Sequence, residues 1–257
     1  MFTRKLACSP RLIASRCSVC ARYVSTATAS LQQARQSGLP TDFQWFPNFF
    51  STREQYALLD AALRKLDVTE NRQFRRRRKE LMKAHSSTPV ADSGESVQSL
   101  FLPDEYYDFQ EGHYDGVIRR YREMHVSSWP QDVEGLLPAL DRLRDIYPSP
   151  DIQTHLLHLA SDGEILPHVD NVGASGSWIL GISLGAARVL KLEHPVNSDE
   201  VYTLALPSGS VYIQRDTTRY DFKHSILLNG QFEGKHYNGG QRMSIMIRDR
   251  FKDNGAQ

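Results

Sequence analysis

From residue 152 onward the chain breaks into short apolar runs divided by Gly, Pro, Asn and Asp. They read IQTHLLHLA, GSWILGISL, ARVLKLEH, VYTLALP, GSVYIQR, FKHSILL and RMSIMIRDR. Each has strand length and is rich in β-branched or aromatic residues. So many in about 100 residues predict an all-β sandwich or jelly roll. Upstream the period changes. In FQWFPNFFSTREQYALLDAALRKL, Tyr56, Leu59, Leu63 and Leu66 recur at helical spacing, and Ser51 with Glu54 makes a capping box. Two more helices are expected. GHYDGVIRRYREMH would carry Tyr114, Ile118, Tyr121 and Met124 on one face. LPALDRLRDIYP would start near Pro138 and bury Leu140, Leu143 and Tyr147. Ahead of them, RQFRRRRKELMK packs six cations between Arg72 and Lys79. Such a run reads first as a solvated helix face, and second as a binding strip for nucleic acid or anionic lipid.

The expected architecture is therefore mainly β with N-terminal helices, built on a double-stranded β-helix (jelly roll) core. A helical extension would span 38–150, the core 151–251 and a short tail 252–257. No apolar run approaches the ~18–20 residues that a bilayer span needs.

Charge separates off the first 37 residues. Arg4, Lys5, Arg11, Arg16, Arg22 and Arg35 all precede the first acidic residue, Asp42, among many Ser, Thr and Ala. An acid-free, Arg- and Ser-rich start able to form an amphipathic helix reads as a mitochondrial transit peptide over 1–37; the alternative is a disordered basic arm. The expected location is the mitochondrial matrix. Cys8, Cys17 and Cys20, the whole cysteine complement, lie in this leader, which argues against thiol chemistry in the mature protein. The chain's net charge of +1 also rests on these six cations. Without them the remainder is mildly acidic, a poor match to a broad phosphate-binding groove.

LPHVDN, residues 166–171, places His168 and Asp170 one residue apart, after Asp162-Gly163 and Pro167. One H-x-D is weak as a signal. Here it is expected to follow an inter-strand turn and open a strand in the β half. A jelly roll can host a 2-His-1-carboxylate triad, which holds Fe(II) on one face and leaves positions for a co-substrate and oxygen. The third ligand must come from a distant strand. His224, in YDFKHSI, lies 54 residues after Asp170. His168, Asp170 and His224 are the proposed metal ligands and catalytic centre. His155 and His158 are competitors, but three residues apart on a strand they point to opposite faces. His194 and His236 sit beside Pro195 and in the loop EGKHYNGGQ.

RMSIMIR supplies Arg242 and Arg248, six apart, so both project from one strand face, with Met243, Ile245 and Ile247 on the other. Arginines aimed into a barrel are costly unless an anion meets them. A dicarboxylate such as 2-oxoglutarate would supply that anion, because guanidinium groups grip carboxylates in a fork. An edge strand with solvated arginines is the bland alternative.

H-x-D, a distant His and R-x5-R in the last strand resemble the Fe(II)/2-oxoglutarate-dependent dioxygenases of the AlkB family. HLLHLASDGEILPHVD, GISL, GSVYI and RYDFKH carry the likeness over about residues 150–250, and HYDGVIRRYRE extends it to about 113. The resemblance implies an enzyme using Fe(II), 2-oxoglutarate and O2. His168, Asp170 and His224 would bind iron, and Arg242 would pair with the distal carboxylate of 2-oxoglutarate. Arg248 would lie near its other end, Tyr212 would line the pocket and Leu157 would form an apolar wall. One departure matters. The family's nucleic-acid demethylases usually carry Asn-x-Tyr where this chain reads Leu157-His158-Leu159. This favours hydroxylation of a protein or another matrix substrate over RNA or DNA demethylation. A third reading is a non-catalytic jelly-roll binding protein with a vestigial metal site.

Overall fold

The computed structural model describes residues 38–86 and 96–250; the leader and the tail lie outside them. β1 (Phe43–Phe46) is followed by α1 (Thr52–Leu66), whose capping box closes as expected between Ser51 and Glu54. α2 (Arg72–Ser86) carries the basic run. β2 (Gln110–Gly112), β3 (Ile118–Val126) and α3 (Leu136–Arg144) lead into the main strands. These are β4 (Ile152–His168), β5 (Trp178–Gly185), β6 (Arg188–Glu193), β7 (Val201–Leu206) and β8 (Ser210–Arg215). A one-turn helix α4 (Asp216–Tyr220) precedes β9 (Lys223–Leu227), the hairpin β10 (Gly230–Phe232) and β11 (Lys235–Tyr237), and β12 (Arg242–Asp249). No helix among the described residues is long and apolar enough to cross a membrane.

The expected helix over GHYDGVIRRYREMH is corrected. It folds as the β2–β3 hairpin, Gln110 opposite Tyr121, and β3 then pairs along β4. Tyr121, Glu123 and His125 alternate with Arg122, Met124 and Val126, a period of two that the helical reading overlooked. α3 begins two residues before Pro138, just after Gly135, whose φ of 80° suits a residue without Cβ. Leu140 and Leu143 are buried as expected, and Tyr147 is partly buried.

Ten strands form one curled antiparallel sheet, in the order β1-β8-β5-β12-β4-β9-β6-β7 with β3 and β2 attached through β4. β4 makes the curl. Its first half pairs with β12, and its end pairs with β9 after a register shift, so it belongs to both walls of the jelly roll. That shift lies between Ile165 and His168; a second one, in the β3–β4 pairing between Arg119 and Tyr121, faces Gly163, where a Cβ would stand 2.6 Å from the Arg120 carbonyl oxygen. H-x-D accordingly does not open a strand: His168 is the last residue of β4 and Asp170 sits in the loop beyond.

Side-chain alternation sorts two apolar layers. Leu180, Ile182, Val211, Ile213, Met243, Ile245 and Ile247 face outward onto Leu58, Leu59, Leu63, Leu140 and Leu143 of α1 and α3. Each such fully buried aliphatic side chain contributes about 1.5–3 kcal/mol. The inward layer holds Leu157, Leu159, Leu190, Leu192, Leu204, Tyr212 and Ile226. β12 is central, not an edge, so the even positions Arg242, Ser244, Met246 and Arg248 face the interior.

Candidate metal and co-substrate site

His168 and His224 meet because β4 and β9 pair at these two residues, bringing their ring centroids to 4.3 Å. Asp170 reaches back from the loop. Its Oδ1 lies 3.0 Å from His168 Nε2 and 3.6 Å from His224 Nε2. One donor atom from each of the three lies within 4.8 Å of the others, so together they can hold a single ion.

Protonation explains why a cation belongs here. His168 Nδ1–H donates to the Leu166 carbonyl at 2.9 Å, which turns Nε2 toward Asp170. Burial opposes a charged His168, but the Asp170 carboxylate outweighs it and raises the imidazole above its ordinary value. Burial alone would raise Asp170, yet the His168 hydrogen bond, the Arg248 guanidinium and His224 hold it well below the usual carboxylate range. Burial, reinforced by His168, pushes His224 down to about 3, so it stays neutral with a lone pair to offer. Once a cation displaces the proton on His168 Nε2, two neutral imidazoles and a carboxylate would form the donor set suited to ferrous iron. Arg248 Nη2 stands 2.8 Å from Asp170 Oδ2 without the alignment of a hydrogen bond.

Deeper in the barrel Arg242 is 1% exposed and has no carboxylate partner among the described residues. Its Nε donates to Ser183 Oγ at 3.0 Å and its Nη1 to Ser244 Oγ, while Nη2 has no partner. The buried Ser210 hydroxyl, on the same inward face and opposite Ser183, is also unpartnered. Burial pushes Arg242 down to about 10, with Tyr212 acting the other way, so the guanidinium remains charged at neutral pH. Orphaned donors of this kind fit the carboxylate end of 2-oxoglutarate.

Tyr212 lies across Gly181, where a Cβ would be 2.4 Å from its ring, and it stacks on Phe43 at 5.8 Å. Burial raises its phenol, so it presents a neutral hydroxyl. Leu157 is buried beside it in the inward apolar layer. Sequence reading missed Ser183, Ser210 and Ser244. Their signal was present: each is a small polar residue at an inward position of an otherwise apolar strand.

The competing histidines are used elsewhere. His158 is fully buried, accepts from Arg122 Nε at 3.0 Å and meets Gln241 Oε1 at 3.1 Å. Phe101, Tyr107 and Phe109 surround its ring. His155, on the opposite face, lies 3.1 Å from Glu123.

The chain is 36% identical over 146 residues to mitochondrial alpha-ketoglutarate-dependent dioxygenase alkB homolog 7 of Mus musculus. It is 33% identical over 144 residues to the Bos taurus protein of the same name. Each match takes in 54% of this chain and 65% of the relative, so the chain spans somewhat under two thirds of their length. Among solved structures, OsALKBH1 is similar with a TM-score of 0.42 and 15% identity, covering 82% of this chain and 99% of that one. A Pseudomonas putida prolyl-4-hydroxylase is similar with a TM-score of 0.46 and 13% identity, covering 88% and 100%. The family described as the 2OG-Fe(II) oxygenase superfamily matches residues 42–248, from the start of β1 to the second arginine of R-x5-R. The chain belongs to the 2OG-Fe(II) oxygenase superfamily.

Proposed function

We propose that the chain is a mitochondrial matrix dioxygenase of AlkB type that depends on Fe(II) and 2-oxoglutarate and hydroxylates a protein or another matrix substrate. The observation carrying this reading is a His-Asp-His cluster on the same inward-facing wall as Arg242, a buried guanidinium whose Nη2 has no partner among the described residues. The names of the mouse and cattle relatives support the compartment and the chemistry. When bound, the ferrous ion and co-substrate supply dioxygen activation, C–H oxidation and decarboxylation of 2-oxoglutarate to succinate.

The residues of this chain prepare that chemistry. His168, Asp170 and His224 hold the metal, and Arg248 helps keep Asp170 ionised. Arg242, with Ser183 and Ser244, receives the distal carboxylate, and Arg248 serves the keto-acid end. Tyr212 and Leu157 close the pocket and exclude water, so these charges act in a low dielectric. Leu157-His158-Leu159 favours a protein substrate over a nucleobase, because its histidine is bound into the outer core and its leucines offer no hydrogen bond to the co-substrate.

The test is mass spectrometry of matrix proteins and RNA from cells carrying either the intact chain or His168→Ala. Peptides gaining one oxygen atom only with the intact chain are expected. A change confined to methylated nucleosides would point to the RNA/DNA demethylase, and no change in any molecule to a binding protein with a vestigial site.

A further inference from the structure

Arg219 is 1% exposed and lies in α4, five residues before His224. Like Arg242 it has no carboxylate partner among the described residues, but its bonds are filled differently. Nη1 donates to the backbone carbonyl of Asp170 at 3.0 Å. Nη2 donates to the Asn171 carbonyl at 3.3 Å and to Ser175 Oγ at 2.9 Å. Beside it, the Tyr220 hydroxyl donates to the Gly176 carbonyl at 3.1 Å. α4 thus straps the loop that leaves β4 and carries Asp170.

That loop needs a strap. Strand pairing fixes His168 against His224, but the ladder between β4 and β9 ends at that pair. Asp170 lies beyond it. Once its carbonyl is held by Arg219, only side-chain torsions remain to place its carboxylate, and those are set by His168 and Arg248. A buried guanidinium with only neutral partners is expensive compared with an apolar side chain of similar size. A charge kept under those terms holds the backbone carbonyls it bonds, and for Arg219 these belong to the Asp170 loop. The connection is also short: α4 runs through Asp221, Phe222 and Lys223 straight into His224. The loop cannot shift against β9 without breaking the guanidinium–carbonyl bonds.

We infer that Arg219 is a positioning residue that locks the Asp170 loop to the His224 strand, and so sets the affinity and geometry of the metal centre. The inference rests on the iron reading above. Co(II) is the probe, because its d–d bands report ligand geometry independently of turnover. Arg188 provides the control. It too is fully buried and donates to backbone carbonyls, those of Leu228, Ser161 and Gly240, but at the end of β6 away from Leu192, the partner of His224.

Arg219→Met should weaken Co(II) binding by about 10–100-fold and alter its bands, as expected when a group orienting a ligand is lost. Arg188→Met should lower the melting temperature yet keep wild-type affinity and spectrum. Arg219→Lys keeps the charge without the planar fork and should recover only part of the affinity. If Arg219→Met does not fold, Ser175→Ala decides, since it removes one of the three bonds: weakened affinity supports the inference and unchanged affinity overturns it. Wild-type affinity and spectrum in Arg219→Met, or an equal loss in Arg188→Met, also overturn it while leaving the iron reading intact. Wild-type protein that binds no Co(II) overturns both.

Discussion

Arg242→Met should make the protein more stable and useless for its co-substrate. Burial brings the guanidinium from its ordinary value down to about 10. At about 1.4 kcal/mol per pKa unit, holding it charged in the fold costs on the order of 3 kcal/mol. The sign follows: folded-state pKa is depressed for a cation, so below pH 10 the charge favours the unfolded chain, and deleting it removes that penalty. Replaced by methionine, the site loses its donors to Ser183 and Ser244, whose hydroxyls can rotate to other acceptors, so a net gain of about 1–3 kcal/mol is expected. The assay is thermal unfolding with Mn(II) in place of iron, with and without 2-oxoglutarate. Ligand at about 100 times Kd stabilises wild type by ~2.7 kcal/mol, a rise of roughly 5–10 °C for a domain of this size. The variant should melt higher than wild type without ligand and show no rise with it. 2-Oxobutanoate, lacking the second carboxylate, should give wild type little shift. A variant that is less stable yet still gains the full rise from 2-oxoglutarate refutes the reasoning.

Burial, with Arg122 adding to it, drives His158 well below its ordinary value, so below about pH 6.5 the unfolded chain binds a proton that the fold refuses. Stability should therefore fall as pH drops through that value, by up to about 1.4 kcal/mol per pH unit, and urea melts of His158→Gln should lose that part of the slope; parallel slopes would contradict it. Gly181→Ala places a Cβ 2.4 Å from the Tyr212 ring. It should cost about 1–3 kcal/mol and weaken 2-oxoglutarate binding, whereas unchanged calorimetric affinity would remove Tyr212 from the pocket. On α2, Arg78 is buried against Asp67, while Arg72, Arg75 and Lys79 are exposed. Changing those three to Gln should move stability by less than about 0.5 kcal/mol and leave single-stranded RNA binding as it was. Steeply salt-dependent binding that the variant loses would favour the nucleic-acid reading.

The β half was legible because each strand buries one or both faces, and short apolar runs between turn residues leave few alternatives. The capping box and the leucine spacing of α1 were read for the same reason. β3 was misread because Tyr121 and Met124 satisfy a helical spacing as well as they fill opposite faces of a strand. Only pairing with β4, a contact remote in sequence, decides between them. At the site, His168, Asp170 and His224 stood out by residue type and order, and Arg242 by its even spacing from Arg248. Arg219 did not stand out, because its partners are backbone carbonyls, which carry no residue signature. Ser183, Ser210 and Ser244 could have been found by asking which inward positions of β5, β8 and β12 were not apolar.

The most direct measurement is anaerobic titration of Fe(II) and 2-oxoglutarate into the purified protein, following the metal-to-ligand charge-transfer band of the keto acid chelated to iron. The band should appear with wild type, vanish in His168→Ala and His224→Ala, and need far more 2-oxoglutarate in Arg242→Met. Wild-type protein without the band, or His224→Ala with the wild-type band, contradicts the account.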